Sequence, residues 1–146
     1  MPGDRGACSL ARAQQIASLG HWELDLKTQV IRWSQEAART FGIEPRQTET
    51  GTGTFWQAVH RDDQDRVRAA IEAVVASRQP ADLEFRIVTP SGEECTIRQR
   101  AELALDEIGR PRLVVATVQD VTERIRLETQ LRQAQASAPL SAMARS

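Results

Sequence analysis

Residues 20–34 read GHWELDLKTQVIRWS. Trp22, Leu24 and Leu26 fall on one parity, Ile31 and Trp33 share another, and the polar turn Lys27-Thr28-Gln29 lies between the two runs. Alternation with a period of two is the pattern of a half-buried strand, so the stretch predicts an antiparallel hairpin with one apolar face. Such a face needs a second layer against it, and the rest of the chain supplies helices for that purpose.

Directly after the hairpin, Ser34 is placed to cap a short helix over SQEAARTF, and Gly42 supplies a left-handed stop beyond Phe41. Residues 43–53 contain Pro45, Thr48, Thr50, Thr52, Gly51 and Gly53 without a sustained period and read as loop. Phe55, Trp56 and Val59 form a short apolar face leading into His60-Arg61-Asp62-Asp63, where Asp62 is the expected helix cap. Val67, Ala70, Ile71, Val74 and Val75 then follow the stripe of an amphipathic helix ending near Ser77. Leu83, Phe85 and Ile87 alternate up to the turn at Pro90-Ser91-Gly92-Glu93, and Cys95, Ile97, Ala101, Leu103 and Leu105 share one parity beyond it. After Gly109 and Pro111 a final strand covers Leu113 to Val121. The prediction is an α+β domain: five antiparallel strands with helices on one face. The other face would be covered by an N-terminal amphipathic segment, where Leu10, Ala13, Ile16 and Ala17 line one face of an expected short helix, by the C-terminal helix or by a second copy.

Composition narrows the function classes. A chain of 146 residues fits one domain, and its 19 basic and 20 acidic side chains leave a formal charge of -1, without the basic footprint of a nucleic-acid binder or a polybasic membrane patch. Leu113 to Val118 falls far short of a membrane span, and residues 1–20 lack the apolar stretch of a signal peptide. Cys8 and Cys95 are far apart with no C-x-x-C spacing, so two unpaired thiols in a reducing cytoplasm are expected. His21 and His60 are the only histidines, and no carboxylate or thiol set around them has metal-ligand spacing. His60, Asp62 and Asp63 invite a small-hydrolase reading with His60 as base, but no nucleophile elbow accompanies them, and capping is the simpler role.

Taken in order, several short motifs resemble the PAS domains whose pattern starts Gly-x-Trp-x-x-Asp-Leu. They are Gly20, Trp22, Asp25 and Leu26; Trp33-Ser34; Phe41-Gly42; His60 with Asp62-Asp63; Glu84-Phe85-Arg86; Ser91-Gly92; Gly109; and Asp120-Val121-Thr122-Glu123-Arg124. The chain departs from the pattern at Arg61, where Pro is usual, at Gln29, where a turn Gly is usual, and near Thr96, where an aromatic is common. The resemblance implies a five-stranded antiparallel sheet with helices enclosing a small cavity, and a non-catalytic module that senses or dimerises and biases a linked effector. It also implies where cofactors would attach. Haem-binding members use a histidine in the helix that here spans about Asp62 to Ser77, which has none, and neither cysteine lies in an Asn-Cys-Arg-Phe-like flavin motif. No cofactor is therefore predicted. The alternative is a flavin-binding redox sensor with Trp22, Trp33 and Trp56 flanking the ring, set against plain core packing.

The C-terminal stretch Val118 to Gln135, VQDVTERIRLETQLRQAQ, passes from strand to charged helix with no Gly, Pro or Ser cluster between. Asp120 is expected to accept from the N–H of residue 122 or 123, with Glu123 reaching back to the Asp120 N–H as in a capping box. Asp120, Thr122, Glu123 and Arg124 are the expected signal-transfer residues. Leu127, Leu131 and Ala134, continued by Ala138, follow 4-3-4 spacing, and Glu128 precedes Arg132 by one turn, which predicts a short homodimeric coiled-coil seam. A terminal helix folded back on its own sheet is the other reading. Gln133-Ala134-Gln135 and residues 140–146 resemble the run that leads, in PAS-linked sensor histidine kinases, toward the phospho-accepting histidine.

The expected organisation is a flanking segment over 1–17, a PAS domain over 18–121, a signalling helix over 122–138 and a tail over 139–146 leading to an effector. The expected function is a cytoplasmic sensory and dimerisation module with a covalently linked partner domain, a small-molecule ligand where the cavity admits one, no nucleic acid and no membrane insertion.

Overall fold

The computed structural model describes residues 19–44 and 46–145, with backbone only for 137–145. The expected helix around residues 10–17 lies outside the described residues. Strands β1 (Gly20–Asp25) and β2 (Val30–Trp33) form the hairpin, with Trp22 opposite Trp33 and Leu24 opposite Ile31. Gln29 takes a left-handed φ of 61° where the family pattern has Gly, and its side-chain amide donates to the Leu26 carbonyl at 3.0 Å.

Helix α1 (Gln35–Phe41) begins as expected, with the Ser34 hydroxyl accepting from the Ala37 N–H at 3.1 Å. It ends at Gly42, φ 74°, in a Schellman motif: Ile43 N–H donates to the Ala38 carbonyl and Gly42 N–H to that of Arg39. Gly20 lets β1 approach this helix, since a Cβ there would stand 2.5 Å from the Ala37 nitrogen. The first residue of the Gly-x-Trp pattern is thus a contact requirement between sheet and helix.

The sheet has six strands, not five. Strand β3 (Glu49–Gly51) forms within the segment read as loop, pairing Thr50 with Ile31 and Glu49 with Arg32. Three residues are too few for a periodic signal, and the strand is fixed by long-range partners: the Trp33 N–H donates to the Thr48 carbonyl at 2.7 Å and the Trp33 indole N–H to the Thr50 hydroxyl at 2.8 Å. Helix α2 (Thr52–Ala58) follows at once and carries Phe55 and Trp56. A 3-10 turn at Arg61–Asp63 leads into α3 (Gln64–Ser77), which buries Val67 and Val74 with Ile71 and Val75 beside them.

Strands β4 (Ala81–Val88), β5 (Glu94–Leu105) and β6 (Pro111–Asp120) complete an antiparallel sheet in the order β3-β2-β1-β6-β5-β4. Its inner face carries Trp22, Ile31, Phe85, Ile97, Val114 and Ala116, all buried under the helices. Each large apolar side chain buried in this layer stabilises the fold by about 1.5–3 kcal/mol, which is why so short a sheet can hold three small helices. Leu105 shares the parity of the core residues yet is 45% exposed, at the end of β5 where the register with β6 shifts between Ala104 and Leu105. Cys95 is buried on β5 and disulfide-bonded, which corrects the expectation of an unpaired thiol there. Cys8 lies outside the described residues.

Helix α4 (Thr122–Arg145) runs on past the expected boundary at 138. Among the described residues, no helix is long and apolar enough to cross a membrane.

Candidate functional site

One residue, Val121, separates β6 from α4. Its N–H donates to the Thr96 carbonyl of β5 at 2.9 Å, and its own carbonyl accepts from the Ile125 N–H at 2.9 Å, so the last rung of the sheet and the first turn of the helix meet on one residue. The Asp120 Oδ1 accepts from the Thr122 N–H at 2.9 Å, as expected, and also from the Thr122 hydroxyl at 2.5 Å. That hydroxyl in turn accepts from the Thr96 N–H at 2.9 Å. Thr122 therefore bridges β5 to the carboxylate at the end of β6, and both Asp120 and Thr122 are buried. The other carboxylate oxygen, Asp120 Oδ2, is buried with no hydrogen-bond partner among the described residues.

The remaining expected transfer residues lie on the surface of this joint. Glu123 is exposed in the first turn, while Arg124 reaches Glu84 of β4 at 3.6 Å and Glu128 at 3.5 Å. From Glu84 the polar contacts continue backward: its carbonyl accepts from Arg66 of α3 at 2.8 Å, and Arg66 stands 3.6 Å from Asp63. Leu127 and Leu131 are 56% and 60% exposed, and Ala134 is exposed as well, so this stretch of α4 does not fold back onto the sheet.

Asp63 anchors the far end of that line. Its Oδ2 accepts from the Arg86 backbone N–H at 2.8 Å and from Arg86 Nε at 3.0 Å, and its Oδ1 accepts from Arg86 Nη2 at 2.9 Å. These bonds, above all those from the guanidinium, hold the Asp63 carboxyl well below the usual carboxylate range against the opposing effect of burial. The cap expected at Asp62 is supplied two residues earlier: His60 Nδ1 accepts from the Asp62 N–H at 3.1 Å. The imidazole lone pair a hydrolase would use as base is thus engaged in holding the turn. Among the described residues, no group of three His, Cys, Asp or Glu side chains could hold a metal ion.

Between sheet and helices, all three Trp and all three Phe of the chain join in one network of ring contacts. Phe55 is its hub, touching Trp22 at 5.2 Å, Phe41 at 5.9 Å, Trp56 at 5.0 Å and Phe85 at 6.3 Å between centroids. The Trp22 indole N–H donates to the side-chain oxygen of Gln99, a buried residue of β5, at 3.1 Å. Sequence reading passed over Gln99, although a polar residue on the parity of Ile97 and Ala101 is a signal, since a buried indole N–H requires an acceptor. A pocket of about 250 Å³ remains beside this cluster, between the β1–β2 hairpin, α2 and α3. A cleft of about 390 Å³ lies at Glu23, Arg32 and Arg112, with Glu23 and Arg32 on the parity opposite to the core.

Comparison with known proteins agrees with this architecture. Residues 30–118 match the family model described as PAS fold. Over 114 residues the chain is 34% identical to the sensor protein FixL of Bradyrhizobium diazoefficiens, covering 78% of this chain and 22% of that protein. It is 31% identical, with the same coverage, to a blue-light-activated histidine kinase of Brucella ovis. The chain thus spans about a fifth of the length of the curated relatives it matches. A sensory box histidine kinase/response regulator structure from Burkholderia thailandensis superposes with a TM-score of 0.70 at 29% identity, covering 90% of this chain and 96% of that one. With the family model matched over most of the sheet and helices, and with sensor kinases among its relatives, the chain belongs to the PAS family.

Proposed function

We infer that this PAS domain is a cytoplasmic sensory and dimerisation module that relays a signal through α4 to a covalently linked effector, a histidine kinase. The observation that carries the reading is the joint at Val121: a strand of the central sheet becomes α4 with no compliant loop, and the Asp120–Thr122–Thr96 bonds tie the helix start to two strands. A displacement of β5 or β6 is therefore delivered to α4 as a change in direction or register. The names of matched relatives, among them a blue-light-activated histidine kinase, support a histidine kinase as the effector.

Leu127, Leu131 and Ala134 leave a narrow apolar stripe exposed along α4, the seam a second copy would cover. The flavin reading finds less support. Trp22 and Trp33 meet at 48° with centroids 6.4 Å apart and are each packed against a Phe, so they do not form parallel plates around a ring.

The test is Asp120→Ala in the full-length kinase beside Gln47→Ala as a surface control. Loss of the carboxylate costs about 0.5–2 kcal/mol at a helix start. Hydrogen exchange over residues 121–128 should accelerate and autophosphorylation should change in the Asp120 variant alone. Unchanged protection together with unchanged signalling would remove the joint from the mechanism.

A further inference from the structure

The pocket beside the aromatic cluster has a composition that selects a ligand class. Trp22, Ile31 and Phe55 are buried at its floor and Leu24 and Ile71 line its half-buried wall, so any occupant contacts apolar surface over most of its body. On the rim the Arg68 guanidinium is held 4.2 Å from the Trp56 ring centroid. Among the described residues Arg68 forms no ion pair and no hydrogen bond, so its guanidinium is held over the ring with its donors left open. An arginine presented in this way matches the two oxygens of a carboxylate.

We propose that this pocket binds a small amphipathic monocarboxylate, with an aromatic or branched apolar body on Phe55 and Ile71 and the carboxylate on Arg68. The proposal rests on the reading of the chain as a sensory module and names what it would sense. An organic cation is disfavoured because Arg68 already occupies the accessible face of Trp56. A doubly charged phosphate ester is disfavoured because Glu72, one turn along α3, shares the rim. A volume of about 250 Å³ limits the guest to a single ring or a short branched chain.

Three probes of similar shape separate the possibilities: phenylpropionate, phenylpropanol and phenylpropylamine, titrated at neutral pH while amide and indole NMR signals are followed. Phenylpropionate should give saturable shifts at the Trp56 indole and at amides 68–72, binding roughly tenfold tighter than the alcohol, as a charge-assisted bidentate contact implies. Arg68→Gln, an exposed substitution that leaves the fold intact, should erase that preference while the alcohol binds as before. Ile71→Trp should fill the pocket and abolish binding of both, with retained signal dispersion showing that the domain is folded. Equal or tighter binding of the alcohol or the amine, shifts mapping elsewhere, no saturable shift, or a preference that survives Arg68→Gln would each overturn the assignment. The relay reading is tested without any ligand, by exchange in Asp120→Ala, so the two can fail separately.

Discussion

Asp63 and Asp120 are both buried carboxylates at the mouth of a helix, and they are satisfied in opposite ways. Asp63 spends both oxygens on three N–H donors of a single residue, Arg86, and so binds the turn before α3 to the edge strand β4. Asp120 places two donors of Thr122 on one oxygen and leaves the other without a hydrogen-bond partner among the described residues. A fully paired carboxylate has one favourable arrangement and resists displacement, whereas a half-paired one gains little from staying where it is. The corner at Asp63 is fully paired, and in the relay proposed above the joint at Asp120 is where a small input would change which bonds are made.

The largest effect should come from breaking the fixed corner. Asp63→Ala strips Arg86 of its partner and leaves a backbone N–H of β4 without an acceptor, and should cost roughly 2–3 kcal/mol, at or below the low end for a fully enclosed pair because Arg86 is partly solvated. Denaturant titrations of the two proteins measure it. The same pair sets an acid limb. The folded-state pKa of Asp63 lies below the ordinary value of 3.8, so the unfolded chain takes up protons first as pH falls. The stabilisation is present in full above that value and drains away as pH drops below about 4, toward the folded pKa. Asp63→Ala should lack this limb, and identical slopes for the two proteins between neutral pH and pH about 3 would show that the corner is not what acid dissolves.

A smaller effect is expected at the joint. Thr122→Val removes a hydroxyl that serves two partners, leaving the Thr96 N–H without an acceptor and Asp120 with one donor instead of two. The cost should be about 1–3 kcal/mol, and it should fall mainly on exchange protection of Thr96 and residues 122–125. Protection lost evenly over the whole sheet would contradict the view that the joint is a separable unit.

How far this contrast was legible in the sequence follows from what each feature depends on. Helix caps are local, so Ser34, Gly42 and the acceptor role of Asp120 were readable from neighbouring residues. The amphipathic stripe of α3 was readable for the same reason, since Val67 and Val74 repeat along one face. By contrast, β3 exists through Trp33, and the true role of Asp63 exists through Arg86, residues far away in the chain. A carboxylate one residue beyond the expected cap reads as just another acid in the first turn until β4 is laid beside it. Gln29 shows the reverse: the family pattern marks its position as a turn Gly, and the structure keeps the left-handed backbone while replacing the residue.

The smallest effect on the fold is expected furthest from the fixed corner, on α4 beyond the joint. Leu127 and Leu131 bury little within a single chain, so the double substitution Leu127→Ser, Leu131→Ser should leave domain stability within about 0.5 kcal/mol. Their exposed faces lie one turn apart on a helix whose other neighbouring positions are charged or polar, a stripe too narrow to bury against a sheet but wide enough for a partner helix. Light scattering over a concentration series should therefore show the parent associating and the double variant shifted toward monomer, with superimposable denaturation curves at a concentration where both are monomeric. If the two proteins associate alike, the seam lies elsewhere and α4 transmits as a single helix. If the double variant instead loses stability as a monomer, the stripe belongs to its own domain, and the division between a fixed corner and a free lever has been drawn in the wrong place.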